Sequence, residues 1–190
     1  MKSRIRSIIA MAAVLLLAVS SQAQIKVVSE RSGSESASAG FQFKNVPAPS
    51  QSDAATKAKF ILVDGRRDAN GGDLAKLHDG KIPTEEDQPA ESFFFAAGSD
   101  GGRLLVDLGS VINIQQVNTY SWHPGTRGPQ VYSLYASDGT TGGFNPQPKR
   151  GIDPQNCGWR PIARVDTRSK ESANGSQYAV RACDKITVAT

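Results

Sequence analysis

Residues 121–130, SWHPGTRGPQ, concentrate side chains able to hold a polar ligand. An indole such as Trp122 can stack on the apolar C–H face of a sugar ring. The forked guanidinium of Arg127 offers several donors in fixed geometry for neighbouring hydroxyls, and a neutral His123 imidazole offers one donor and one acceptor. Pro124 and Pro129 restrict the loop, which favours a site formed before its ligand arrives. Each residue also has a plainer reading. Trp122 can be a core residue at a strand end, His123 can bond the backbone, and Arg127 can sit in a solvated turn.

A second group is rich in oxygen: Asp64, Asp68, Asn70, Asp73 and Asp79, with Thr84, Glu85, Glu86 and Asp87 beyond. Hard oxygen ligands at close spacing suit Ca²⁺. An EF-hand is excluded, because the spacing follows that loop only in part and lacks its twelfth-position Glu. The same residues also read as turn formers and solvated acids. Phe93, Phe94 and Phe95 form a third candidate. Three consecutive aromatics cannot all face one side of a strand, so one or two enter the core and the remainder meets a rim or a neighbouring chain.

Catalysis has little to work with. His78 and His123 are the only imidazoles. There is no Gly-x-Ser-x-Gly elbow, no zinc-binding helix motif and no phosphate-cradling glycine loop. Glu85, Glu86, Asp87 and Glu91 crowd one stretch of chain, whereas glycoside hydrolases set their two carboxyls across a cleft. The expectation is a protein that is not an enzyme.

The elements around these residues begin with an export signal. Lys2, Arg4 and Arg6 precede an uncharged apolar run at residues 8–19, and Ser21-Gln22-Ala23 supplies the small residues of a cleavage site. The run falls short of the ~20 residues that span a bilayer. Residues 1–23 therefore read as a cleaved signal peptide, and the product as secreted or periplasmic with no membrane span. The chain carries 22 Lys+Arg against 18 Asp+Glu, and the signal holds three of the bases and no acid. What remains has 19 bases and 18 acids, a net +1. That near-neutral balance argues against nucleic acid or anionic lipid as a partner. Cys157 and Cys183 are the only cysteines. In an oxidising compartment they read as a disulfide, closing a loop of about 25 residues worth about 3 kcal/mol.

Residues 29–40, SERSGSESASAG, are too polar and small to offset chain entropy. Residues 24–58 therefore read as a flexible linker, relieved only by the brief alternation at 41–46, and one domain is expected over 59–190. Short strands are expected at 60–63, 103–108, 112–122 (with a bulge), 131–137, 159–165 and 177–183. Turn signals lie between them, and no amphipathic helix is visible. Such a pattern predicts an all-β, antiparallel sandwich or barrel.

Three segments together resemble the discoidin, or coagulation-factor type C, family of galactose-binding-like jelly rolls. The first is Leu77-His78-Asp79-Gly80. The second is RLLVDLG at 103–109, leading to Ile114 and Val117. The third is YSLYASDG at 132–139, followed by Trp159 and Ile162-Ala163; QYAVR at 177–181 resembles the strand near the family's end. Residues 140–157 form a longer insertion than the family usually has, and the last family strand is expected either from residues 186–189 or from chain beyond Thr190. The resemblance implies a jelly-roll β-sandwich that binds a carbohydrate through end loops, with His123, Arg127 and Gln130 among the contacts beside Trp122. It implies a structural Ca²⁺ with Asp79 as one ligand and Thr84 as another, although the C-terminal Glu of such binders is missing. Discoidin-like folds bind proteins as readily as sugars, so an extracellular adhesion or assembly partner stays open as the alternative to a glycan.

Overall fold

A computed structural model describes residues 25–33, 35–170 and 176–183. The signal segment 1–23, the Asn174-Gly175 turn and residues 186–189 lie outside them. Among the described residues the chain forms seven strands: β1 Lys26–Gly33, β2 Lys59–Asp64, β3 Arg103–Asp107, β4 Gln116–His123, β5 Val131–Ala136, β6 Arg160–Asp166 and β7 Ser176–Cys183. They make three antiparallel sheets, in the orders β1-β7-β4, β2-β3 and β5-β6. Among the described residues the fold is all-β, with only short 3-10 turns between strands.

β7 is the centre of the core. It pairs over eight residues with β1 on one side and with β4 on the other. Tyr178, Ala179, Val180, Ala182 and Cys183 are all buried. Its near-continuous apolar run suits a strand flanked on both edges and covered on both faces. On one face Thr119 of β4 bonds the Tyr132 hydroxyl at 2.9 Å, which brings in β5. The other face is covered by the chain that follows β1.

That covering chain corrects the linker expectation, because Lys26–Gly33 already forms β1, well before Lys59. Gln177 clasps Ser38 through both its main-chain groups, at 3.2 and 2.6 Å. Glu30 accepts from Asn45 N, Asn45 Nδ2 and Val46 N at 2.8, 2.7 and 3.2 Å, and the Tyr120 hydroxyl donates to the Pro47 carbonyl. Val46 is buried beneath this network. A polar segment is thus ordered by hydrogen bonds to buried or half-buried side chains, a term that composition does not register. The alternation at residues 41–46 gives no strand; the Phe41 and Phe43 rings meet edge-on at 5.1 Å.

Other differences are local. β4 starts at Gln116, and its register with β7 runs unbroken, so the expected bulge is absent there. Ile112 and Ile114 precede the strand and are exposed. The irregularities fall instead at Val63 in β2 and at Ile162 in β6. In β6 the neighbouring Pro161 lacks the N–H that a continuous ladder needs. β6 begins one residue after Trp159, whose indole donates to the Asn145 carbonyl at 2.9 Å.

Cys157 and Cys183 are both buried and both free, so the expected disulfide is not formed. Cys157 ends the 3-10 turn Pro154–Cys157, which packs on β6, whereas Cys183 ends β7 opposite Lys26 and Gln116. Each thiol is accommodated as a small buried hydrophobe on a separate element.

Candidate functional site

The β4–β5 connection is built from the end of β4 outward. Trp122 and His123 close the strand and are 5% and 6% exposed. Gly125, at φ +62, opens the 3-10 turn Gly125–Arg127, and Ser121 Oγ ties the loop down by donating to the Gly128 carbonyl at 2.6 Å. Glycine suits the left-handed position, where a Cβ would be strained.

The four expected ligand residues separate here. Trp122 is core, its ring withdrawn from solvent, and its indole Nε1 has no hydrogen-bond partner among the described residues. Gln130 spends its carboxamide inside the fold: Nε2 donates to the Thr119 and Tyr178 carbonyls at 3.2 and 3.4 Å, and Oε1 accepts from the Thr119 hydroxyl. Neither presents its polar atoms to a ligand. His123 is a brace. Its Nδ1 lies 3.1 Å from the Pro124 carbonyl, which can only accept, so that nitrogen carries the ring proton. Nε2 lies 3.4 Å from the Asp87 carboxylate but, with the proton on Nδ1, has none to donate to it. Of the four, Arg127 alone is exposed.

Arg127 finds a partner that sequence reasoning assigned elsewhere. Its guanidinium carbon lies 5.9 Å from the centroid of Phe94, and the same ring meets His123 edge-on at 5.1 Å. Phe93 and Phe95 pair with each other at 5.3 Å, so Phe94 departs from its neighbours as strand-like alternation requires. Asp87 is 75% exposed and closes the group. A half-buried aromatic ring, an exposed guanidinium and an exposed carboxylate therefore gather around His123 at one corner. The three consecutive phenylalanines were the signal for Phe94, but which one would turn to the rim depends on its pairing with residues 66–68.

The acid-rich region does not gather a cation site. Asp79 accepts from Lys81 N at 3.0 Å and faces Lys76 Nζ at 3.7 Å. Thr84 is bound to Gln88 through N and Oγ1 at 2.8 and 3.1 Å. Asp68 and Asp73 accept from Asn70 N and Ala75 N at 2.9 and 3.0 Å, as turn and cap residues do. Among the described residues no three His, Cys, Asp or Glu side chains converge. With a lysine already facing Asp79, this donor set does not fit Ca²⁺, which takes six to eight oxygens.

A shallow, open cleft that the motifs did not indicate lies beside the corner. It has a volume of about 490 Å³ and is lined by Asp64, Gly65, Arg66, Gly98, Ser99 and Arg150. A smaller hollow of about 260 Å³ follows the β5–β6 irregularity at Leu134, Pro161 and Ile162. Hydrogen bonds from the main-chain N–H groups of Arg150 and Gly65, at 2.5 and 2.7 Å, hold the Asp64 carboxyl below its ordinary pKa.

Compared with known proteins, the chain matches no family model, no curated protein and no solved structure. Among the described residues no helix is long and apolar enough to cross a membrane.

Proposed function

We propose that this chain is an exported, non-catalytic binding module of the galactose-binding-like sandwich type, and that it recognises a carbohydrate at the Phe94–Arg127–Asp87 corner. The observation that carries the reading is the exposed Arg127 guanidinium set over the Phe94 ring. No hydrogen bond to protein occupies its donors among the described residues. The ring supplies an apolar face for sugar C–H groups, the guanidinium a fork of donors, and Asp87 an acceptor for hydroxyls. Phe94 thereby takes the role that the sequence suggested for Trp122. The basic, apolar and small order of residues 1–23 supports export. One such site should bind in the micromolar to millimolar range, about −8 to −4 kcal/mol, so several copies on one surface would add avidity.

A glycan array read with wild type, Phe94→Ala and Arg127→Ala tests the proposal. Binding that is lost in both variants, with the fold retained, is the expected result. Silence across the array would reject it. A second reading, a module that docks onto an extracellular protein, is favoured by exposed apolar side chains on and after β3. Val111 is 74% exposed, and Leu104, Val106, Ile112 and Ile114 are also open to solvent. Monomeric proteins tend to keep such surface small. Capture of a protein partner that Val111→Asp abolishes, with no glycan bound, would support that reading.

A further inference from the structure

The 490 Å³ cleft has features of an anion site. Of its lining side chains two are cationic and one is anionic. The anion, Asp64, is already committed, with one oxygen to Arg150 N and the other to Gly65 N. Arg150 is held in place, its Nη2 donating to the Ser99 and Gly101 carbonyls at 2.5 and 2.8 Å. Behind it, Lys149 Nζ donates to the Val63 carbonyl. Arg66 differs from both, since its side chain is exposed and makes no hydrogen bond or ion pair among the described residues. One fixed and one free guanidinium at the same cleft suit a carboxylate, which accepts forked donors.

The backbone packs tightly at the base of this cleft. Gly65 stands at φ +89, and a Cβ there would lie 2.7 Å from the Gly101 carbonyl oxygen and 2.8 Å from Gly102 Cα. Only glycine lets the two segments approach so closely. Gly98, which also lines the cleft, has open space where its Cβ would be.

The cleft also adjoins the proposed sugar corner. Residues 66–68 run antiparallel to residues 94–96: Ala96 N donates to the Arg66 carbonyl at 2.7 Å and Asp68 N to the Phe94 carbonyl at 2.9 Å, with Arg67 and Phe95 bridged between them. Two residues of extended chain, about 7 Å, separate the Arg66 level from the Phe94 level. We infer that the ligand is an acidic glycan, a uronate-bearing oligosaccharide whose carboxylate sits between Arg66 and Arg150 while a neighbouring sugar ring packs at Phe94 and Arg127. This rests on the glycan reading above and narrows its ligand class.

Titration calorimetry of the chain lacking residues 1–23 tests it, with trigalacturonate, the neutral galactotriose and triglutamate as probes at low and high salt. Arg66→Gln is the informative variant, because that side chain makes no hydrogen bond or ion pair among the described residues. Trigalacturonate should bind at least about tenfold more tightly than galactotriose at low salt, a difference of about 1.4 kcal/mol. High salt should erode that advantage. Arg66→Gln should remove it and leave galactotriose binding unchanged. Equal binding of the two trisaccharides, or equal losses of both in Arg66→Gln, overturns the inference and leaves a neutral-glycan reading standing. Triglutamate binding as tightly as trigalacturonate overturns it in favour of an acidic peptide. No binding of trigalacturonate overturns it as well; the glycan reading itself then falls only if the array is also silent.

Discussion

Gln130 shows how a residue in a candidate loop can belong wholly to the fold. Its carboxamide joins β4 and β7, and its main-chain N–H takes the Thr167 hydroxyl at 2.8 Å. Gln130→Ala strands the acceptors it served and should cost about 1–3 kcal/mol, read from urea melts. A variant as stable as wild type would return Gln130 to the ligand candidates. Glu30 belongs to the same scale. Burial opposes its charge, yet hydrogen bonds from Asn45, Val46 and Lys44 hold its pKa below the ordinary 4.5. A carboxyl depressed in the folded state contributes stability that is fully present above 4.5 and lost as pH falls through the folded value. Wild type should therefore lose stability over that acid window, and Glu30→Gln should show less of the decline. Parallel acid profiles for the two proteins would contradict this assignment.

At the scale of elements, the strands most legible in the sequence were those whose side chains do the packing. Residues 177–183 were expected as a strand and form most of β7, and residues 131–137 were expected where β5 runs to Ala136. β1 was not legible, because Glu30 and Ser32 on its inner face are polar and its stability comes from pairing with β7 and from the Glu30 network. Residues 112–115 misled in the other direction. Apolar alternation reports a strand only where a partner is present to bury it, and Ile112 and Ile114 have none among the described residues. In β3 the alternation was real, but Leu104 and Val106 face solvent while Arg103 turns inward to the Pro148 carbonyl at 2.8 Å. The close approach at Gly65 gives an element-scale prediction. Gly65→Ala must relieve both a left-handed φ and a contact of 2.7 Å, and should cost about 1–3 kcal/mol. It should also weaken any anion binding at the cleft. A melt unchanged from wild type would show that the two segments are free to part.

For the molecule as a whole, two free buried thiols replace a covalent staple. Bridging needs Cα atoms within about 7 Å, and the sequence carried no information on that distance. Alkylation followed by intact mass measurement should add nothing to the folded chain and two groups to the unfolded chain, with no reductant present. An unfolded chain that resists alkylation until reduced would show a bond instead. The candidate site was legible at the same coarse level. The β4–β5 loop and its Arg127 could be named from residue types, whereas the exchange of Trp122 for Phe94 depends on how residues 66–68 and 94–96 pair across the fold. Central to the account is a ligand surface running from Arg127 and Phe94 to the Arg66 cleft. The most direct test is amide chemical-shift mapping of the labelled chain during titration with trigalacturonate. Saturable shifts clustered at residues 65–67, 94–99 and 125–128, with β1 and β7 undisturbed, are predicted. Shifts centred on the β5–β6 hollow, or on residues 104–114, would contradict it.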